Sequence, residues 1–288
     1  MRSILCAAVV LAFAAGTALG DQHEPFDAPE QMTWHAPSQS WFVSNLGGGL
    51  SLEKDGYGWV TRLDAAGNVV SPRWVEGLDA PTGMTAIGDR LFVADRGVVV
   101  EVDVPTARIV ARHPVTGAEF VNDVTTAPNG DLYVSDFMGN KIYRLPAGTR
   151  AAEVFVASDA LDFPNGLVVD GDQLIVATWG PMTDPKTFAT SRPGTVLTVD
   201  LATKAIKPLA DGRPIANFDG IVKVGDVFYG TDWMGGRLLR IARDGTVTEV
   251  LTGFKQLADL GYRPDTGQLG LPEMSSSRVF LLTLDRRE

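Results

Sequence analysis

The sequence predicts an all-β fold, a six-bladed β-propeller with four antiparallel strands in each blade. A short apolar strand ending in Asn, Asp, Thr or Glu recurs six times. The six copies are WFVSN (41–45), LFVAD (91–95), LYVSD (132–136), LIVAT (174–178), VFYGT (227–231) and LGLPE (269–273). The middle residues of successive copies lie 50, 41, 42, 53 and 42 positions apart. A period near 42 on short strands is typical of a propeller, in which the number of copies gives the number of blades.

The strand pattern inside the repeats supports the same fold. The second repeat splits into four β-rich runs at 83–88, 90–95, 98–104 and 108–115, and the first two are the more apolar, as expected next to a central channel. TDWMGGRLLRIARDG in the fifth repeat echoes SDFMGNKIYRLPAG in the third. The sixth repeat runs out of chain after 278–284, so we expect residues 22–28 to supply its outermost strand.

The N-terminus has the pattern of a signal peptide. Arg2 precedes an apolar run from Ile4 to Ala15, and small residues close the segment at Gly20. We therefore expect residues 1–20 to be a signal peptide, residues 21–288 to be the propeller domain, and the protein to be periplasmic or secreted. The single cysteine, Cys6, lies in the leader, so the mature chain would have no disulfide, thiolate metal site or cysteine nucleophile.

The charge balance restricts the class of partner. The chain has 35 acidic and 25 basic residues and no basic cluster, which disfavours nucleic acid and anionic membranes as partners. We expect a monomer that acts on a small molecule.

Polar residues recur where the innermost strand of each blade begins. In blade order they are Glu30, Thr82-Gly83, Asn122-Asp123, Asn165-Gly166, Asp219-Gly220 and Ala258-Asp259. These positions share one face of a propeller, so their side chains should meet at one channel mouth. Carboxylate and amide oxygens without His or Cys suit a hard cation, Ca²⁺ first, with Mg²⁺ or Mn²⁺ as alternatives. The competing interpretation is that Asn and Asp only cap the turns that lead into the strands.

The segments FVNDVTTAPNGDLYVSD, FPNGLVVDGDQLIVAT and NFDGIVKVGDVFYGTDWMGGRLLRI resemble successive blades of the SMP-30/gluconolactonase/LRE-like family, and PEQMTWHAPSQSWFVSN resembles its first blade. The resemblance covers nearly all of 29–285. It implies a divalent metal, Ca²⁺ or alternatively Mg²⁺, Mn²⁺ or Zn²⁺, at the channel mouth. The implied ligands are Glu30, Asn165 and Asp219, with Asn122 near metal and substrate.

The implied reaction is the metal-dependent hydrolysis of a lactone or a related ester. Asp219 is the first choice for a combined ligand and general base, with Asp123 as the second choice. Family members that act on sugar acids often have arginine two residues before the motif asparagine, where this chain has Phe120. With Trp179, Phe163 and Phe218 expected near the same face, we expect Phe120 and Trp179 to bind a less polar substrate, although these aromatics could instead be strand-end packing.

Two long segments, 45–59 and 179–194, account for the two long steps in the repeat, and we expect at least one to act as a lid. A Ser-His-Asp hydrolase is disfavoured, because no G-x-S-x-G motif occurs and His113 falls on an outer strand. His35 could approach the channel, but a core histidine with satisfied hydrogen bonds is the favoured interpretation. The main alternative function is a non-catalytic NHL-like propeller that binds a peptide, glycan or small ligand, and a strictosidine-synthase-like propeller is a further one.

Overall fold

A computed structural model shows six four-stranded antiparallel sheets arranged as the blades of a propeller, which confirms the predicted fold. It describes residues 11–12, 25–48 and 55–284. From the innermost strand to the outermost, blade one is Pro29–His35, Ser40–Asn45, Gly58–Leu63 and Val69–Leu78; blade two is Pro81–Ile87, Arg90–Asp95, Val98–Asp103 and Arg108–Pro114; blade three is Val121–Thr126, Leu132–Asp136, Lys141–Leu145 and Glu153–Ala157. Blade four is Pro164–Asp170, Gln173–Thr178, Val196–Asp200 and Ile206–Pro208; blade five is Phe218–Val224, Val227–Asp232, Arg237–Ala242 and Val247–Thr252; blade six contains Gly261–Arg263, Gln268–Glu273 and Arg278–Thr283.

Blade six is completed from the N-terminal side of the chain, but not by the segment predicted. Leu11–Ala12 pairs antiparallel with the strand Arg278–Thr283 as the fourth strand of the sheet. Of the predicted residues 22–28, those that the structure describes, 25–28, form bends and no strand. Phe26 packs instead against the apolar cluster at the boundary between blades one and six. The proposed cleavage site at Gly20 lies outside the described residues. Leu11–Ala12 lies within the predicted signal peptide, so cleavage at Gly20 would remove this strand and leave blade six with the three strands between Gly261 and Thr283.

Burial follows strand position within each blade. In blade three, every residue of the second strand, Leu132–Asp136, is buried, whereas the outermost strand, Glu153–Ala157, is half exposed. The apolar side chains fill the spaces between neighbouring blades, as in the cluster that joins Phe42 of blade one to Val93 of blade two. Hydrophobic burial between blades therefore closes the ring and fixes the innermost strands around the channel. No helix in the described part of the chain is long and apolar enough to span a membrane.

The innermost strand of each blade starts with a β-bulge. The pairing register between the first two strands shifts at equivalent places in blades one to five, for example between Pro29 and Met32 and between Phe218 and Ile221. In blade six, Leu257 pairs with Glu273 and Gly261 pairs with Gly270. Between these two pairs the innermost side again has one residue more than the second strand. A bulge bends a strand and changes the direction of its side chains, and here it does so at the two residues predicted to face the channel mouth.

A buried acid or amide ends the second strand of most blades and holds the bulge in place. Asp136 Oδ1 accepts hydrogen bonds from the backbone N–H groups of Glu119, Phe120 and Gly139, at 2.8–3.2 Å. Asp95 binds the equivalent amides of blade two in the same way. The recurrent Asp that reveals the repeat in the sequence is therefore structural, because it ties the loop before each innermost strand to the blade.

Candidate functional site at the channel mouth

Five of the six predicted positions meet at one end of the channel and form the floor of a pocket, and the sixth, Ala258, packs in the adjoining apolar cluster. All five line the pocket through polar side chains that are at most 6 % exposed. The floor consists of Glu30, Thr82, Asn122, Asn165 and Asp219. The structure thus brings together all three predicted metal ligands and the predicted substrate-binding asparagine.

In the predicted pairs Asn122-Asp123 and Ala258-Asp259, the second residue lies one level deeper in the channel than the first. Asp123 accepts hydrogen bonds from the backbone N–H groups of Leu167 (2.6 Å) and Val124 (2.7 Å), and it lines a cavity at the opposite end of the channel rather than the pocket at the mouth. Asp259 accepts a hydrogen bond from Gln31 Nε2 at 2.7 Å. These side chains cross between blades, so they act as bridges beneath the floor.

Glycine is required at the positions between these bridges. A Cβ on Gly83 would overlap Asp123 Oδ1, and one on Gly220 would overlap Asp259 Oδ1. The glycines at these positions thus follow from the close approach of the innermost strands.

Two buried oxygen atoms on the floor have no hydrogen-bond partner among the described residues. Asn165 Nδ2 donates to Asp219 Oδ1 at 2.9 Å, which leaves Asn165 Oδ1 unpartnered. Glu30 Oε2 is also unpartnered. Buried polar atoms are normally satisfied by a protein group or by water, and these two oxygens belong to side chains that line the same pocket.

The site holds an excess of buried negative charge. Burial raises the pKa of Glu30 well above its ordinary value, and repulsion from Asp219, Asp259 and Asp123 raises it further. Burial likewise raises the pKa of Asp219 to about 7, against a smaller lowering by the Asn165 hydrogen bond. The pKa of Asp123 rises to about 7 for the same main reason, and that of Asp259 is raised well above its usual range. None of the four carboxylates belongs to an ion pair in the described chain, so a bound cation would relieve their mutual repulsion.

The described residues contain no group of three His, Cys, Asp or Glu side chains arranged to hold a metal. The predicted set does not require one, because it combines two carboxylates with one amide. Oxygen-only donor sets of this type suit hard cations.

An aromatic wall surrounds the polar floor. Its side chains carry no charge and no oxygen, and they are Leu46, Phe120, Phe137, Trp179, Phe188, Trp233 and Met274. The rings pack mainly edge to face, with centroids 5.5 Å apart for Trp179 and Trp233 and 5.7 Å apart for Phe137 and Trp179. The pocket therefore combines a charged floor with an apolar entrance.

The loop at 179–194 supplies part of this wall. Within it, Met182–Asp184 and Ala189–Thr190 pair as a small hairpin that carries Phe188. Trp179 Nε1 donates to Phe188 O at 2.9 Å, and Asn217 Nδ2 donates to Thr190 Oγ1 at 3.0 Å. These bonds tie the hairpin to blades four and five. In the other loop, residues 49–54 lie outside the described residues, and Leu46 is its contribution to the pocket.

The predicted aromatic residues differ in where they lie. Phe120 and Trp179 line the pocket as expected. Phe163 packs behind Phe137, at 6.0 Å between ring centroids. Phe218 was expected near this face, but its fully buried ring faces the core between blades four and five, because it precedes Asp219 on the strand and points to the opposite side.

The described histidines lie outside the pocket. His35 is buried, and its two ring nitrogens make hydrogen bonds with Gly88 O and Ser38 Oγ, both at 2.7 Å, which confirms the core interpretation. His113 lies on an outermost strand and pairs with Glu101 at 3.0 Å.

Sequence reasoning missed most of the wall, although the sequence contains its signal. The residue that directly follows the polar end of each second strand points to the pocket in five of six blades. These residues are Leu46, Phe137, Trp179, Trp233 and Met274. In blade two the equivalent residue is Arg96, whose guanidinium carbon lies 5.8 Å from the centroid of the Phe120 ring. Phe188 has no counterpart in the repeat, so periodicity could not have identified it.

Comparison with known proteins identifies the fold and leaves the function open. No family model matches the chain, and no curated protein matches it. Among solved structures, it is similar to the gluconolactonase XC5397 from Xanthomonas campestris, with a TM-score of 0.68, 16 % identity, and coverage of 89 % of this chain and 86 % of that chain. A streptogramin B lyase has a TM-score of 0.62 and 12 % identity, with coverage of 96 % of this chain and 97 % of that one.

A catalytically inactive variant of virginiamycin B lyase from Staphylococcus aureus, with quinupristin, has a TM-score of 0.61 and 13 % identity over 96 % of this chain and 99 % of that one. At these identities the similarity shows a shared fold. The resemblance to gluconolactonase-type propellers expected from the sequence is thus confirmed at the level of the six-bladed architecture.

Proposed function

We propose that this protein is a metal-dependent hydrolase that opens a lactone or a related ester at its channel mouth. The observation that carries the proposal is the pair of unpartnered buried oxygens, Glu30 Oε2 and Asn165 Oδ1, beside the buried carboxylate of Asp219. Neither oxygen caps a turn or bonds another group among the described residues, and a buried acceptor without a partner costs about 1–3 kcal/mol.

The residues fit a divalent cation. Glu30, Asn165 and Asp219 would hold it through oxygen atoms, and Ca²⁺ suits this donor set best, with Mg²⁺, Mn²⁺ or Zn²⁺ as alternatives. When bound, the ion would polarise the carbonyl of the substrate and stabilise the negative charge that develops on its oxygen. Its positive charge would also offset the repulsion that raises the pKa of Glu30 and Asp219.

Asp219 is the best-placed general base. Asp219 Oδ1 already accepts a hydrogen bond from Asn165 Nδ2, so Asp219 Oδ2 would take the proton of an attacking water. Burial raises the pKa of Asp219 in the metal-free protein to about 7, and a bound cation would lower it, so the carboxylate would be ionised and able to accept a proton. Asp123 is a weaker candidate, because both its oxygens accept backbone hydrogen bonds below the floor.

Asn122 would orient the substrate. It lies on the floor beside the predicted ligands, and its amide can donate a hydrogen bond without exchanging a proton. Phe120 and Trp179 line the wall directly above and would contact the apolar part of the substrate.

The test is the hydrolysis of a panel of lactones and aryl esters with Ca²⁺, Mn²⁺ or Zn²⁺ and with EDTA. We expect EDTA to abolish turnover and Asp219→Asn to lower kcat at least about a hundredfold, with a smaller change in KM. Asp170→Asn is the matched control, because Asp170 ends the innermost strand of blade four and pairs with Lys223 and Arg243 away from the pocket. Turnover that resists EDTA, or that survives Asp219→Asn, would contradict the proposal.

A binding module remains the alternative, favoured if the purified protein binds ligands but turns over no ester. A lyase that depends on histidine has no support here, because no described histidine reaches the pocket. The proposal includes an exported monomer that acts on a small molecule.

A further inference from the structure

The wall of the pocket consists of aromatic and aliphatic side chains, whereas the floor is polar and charged. Above the five polar residues of the floor, the lining side chains carry neither oxygen nor charge. Two wall side chains carry an indole N–H: that of Trp179 already donates to Phe188 O, so that of Trp233 is the remaining donor of the described wall. A polyhydroxylated ring would leave several hydroxyls against this surface without partners, at about 1–3 kcal/mol each.

Four rings form a continuous box above the floor. Trp179 is the central ring: its centroid lies 5.5 Å from that of Trp233, 5.7 Å from that of Phe137 and 6.1 Å from that of Phe188. Phe188 also lies 6.2 Å from Trp233. Phe137, Trp179 and Trp233 are at most 9 % exposed and pack against one another, and Phe188 is half-buried, so a guest would contact the parts of these rings that line the pocket, Phe188 most of all.

Phe188 is held in this box at a conformational cost. Its φ is 57°, in the left-handed region that a bulky residue rarely adopts. The hairpin persists in this form because hydrogen bonds from Trp179 and Asn217 fix both of its sides. An outlier maintained by its surroundings at a pocket wall points to a function for the side chain.

We infer that Phe137, Trp179, Phe188 and Trp233 bind the flat, uncharged aromatic part of the substrate, so that the pocket selects aryl-fused or aryl-substituted lactones and esters over sugar lactones. The inference rests on the proposed function for the identity of the bond that is hydrolysed. The composition of the pocket wall supports the statement about the rest of the substrate. Phe188 is the specificity-determining residue that is easiest to test, because it lies on the hairpin and outside the blades.

The test uses probes that cannot be hydrolysed, so binding is measured apart from turnover. Isothermal titration calorimetry with Ca²⁺ present would compare 3,4-dihydroquinolin-2-one, an aryl-fused lactam, with gluconolactam. We expect the aryl lactam to bind at least about tenfold more tightly than gluconolactam, since tenfold corresponds to about 1.4 kcal/mol and one unsatisfied hydroxyl costs as much. Phe188→Ala should weaken the aryl lactam about tenfold, which is the expected loss for one aromatic contact and its buried surface.

Phe92→Ala is the matched control, because Phe92 is a partly buried phenylalanine of blade two that packs away from the pocket, against His113. It should leave the affinity for the aryl lactam unchanged. Equal or tighter binding of gluconolactam would overturn the inference, and so would an unchanged affinity in Phe188→Ala. Tighter binding of phenyltrimethylammonium than of the neutral lactam would also overturn it, because the box would then recognise a cation.

The two proposals can fail separately. If the aryl lactam binds in a way that depends on Phe188 but no lactone is turned over, the inference about aryl recognition is supported and the proposal of a hydrolase is refuted. EDTA-sensitive hydrolysis that prefers gluconolactone would keep the hydrolase and overturn the box.

Discussion

Replacing the proposed base Asp219 with asparagine should make the metal-free protein more stable. Asp219 is fully buried, and burial with repulsion from Asp123 raises its pKa from an ordinary 3.8 to about 7. A raised pKa means that the native state binds the proton more tightly than the unfolded chain does. Stability is therefore lost as the pH rises from about 4 to about 7, and the whole penalty is present above that range.

The size of the effect follows from the shift. One pKa unit corresponds to about 1.4 kcal/mol, so the ionised carboxylate costs at most about 4 kcal/mol at pH 8. Asp219→Asn removes this cost and retains an oxygen that can accept the hydrogen bond from Asn165 Nδ2. We expect a gain of about 2–4 kcal/mol in EDTA at pH 8, or roughly 5–15 °C in melting temperature for a chain of this size. The gain should be less than half as large at pH 5, because Asp219 is then mostly protonated in the native state.

Urea denaturation in EDTA at pH 5 and pH 8 would measure these differences. Ca²⁺ should offset most or all of this difference: it should stabilise the wild type by about 2.7 kcal/mol at a hundred times its Kd, and have little effect on Asp219→Asn. The reasoning is refuted if the variant is no more stable than the wild type in EDTA at pH 8. It is also refuted if Ca²⁺ stabilises both proteins equally.

Three further outcomes are expected. Asp136→Ala should lower the free energy of unfolding by at least about 1–3 kcal/mol, because alanine cannot accept the three backbone hydrogen bonds that Asp136 accepts, yet calcium titration should show an unchanged Kd. Gly220→Ala should unfold or severely destabilise the protein through its overlap with Asp259, whereas Gly97→Ala, whose Cβ would meet no atom within 4 Å, should melt within a few degrees of the wild type. Expression with the natural leader should yield a mature protein that starts just after Gly20 by intact-mass spectrometry, and a mass that includes residues 1–20 would contradict the proposed export.

The repeat made the blades and the floor predictable. The spacing of the second strands identified six blades. The polar residues at the start of the innermost strands predicted that Glu30, Asn165 and Asp219 share one pocket. This works because a propeller places equivalent positions of successive repeats at the same height around one axis. The level at which Asp123 lies was not predictable, because a bulge places both residues of a pair toward the channel and alternation alone does not say which one lies deeper.

The wall was predictable only in part, for a different reason. Phe137 and Trp233 follow the second strand in the repeat pattern, but their contact with Trp179 depends on how three blades close around the channel. Phe188 lies on a hairpin with no equivalent in other blades, so no internal comparison could place it. Closure of blade six by Leu11–Ala12 was likewise outside the reach of the pattern, since a two-residue strand has too few residues to show a period.

The recurrent bulge also gives the fold a way to change its site without changing its scaffold. The backbone of each extra residue takes no part in the regular ladder between the first two strands, and the N–H groups of Gln31, Asp123 and Gly220 bind hydroxyls of Ser44, Ser135 and Thr231 instead. The first residue of each bulge can therefore exchange its side chain while the neighbouring strand pairs remain intact, whereas glycine is fixed at the second position in blades two and five. Six positions thus form an exchangeable set around one axis, and their side chains determine which molecule or ion can bind at the channel mouth.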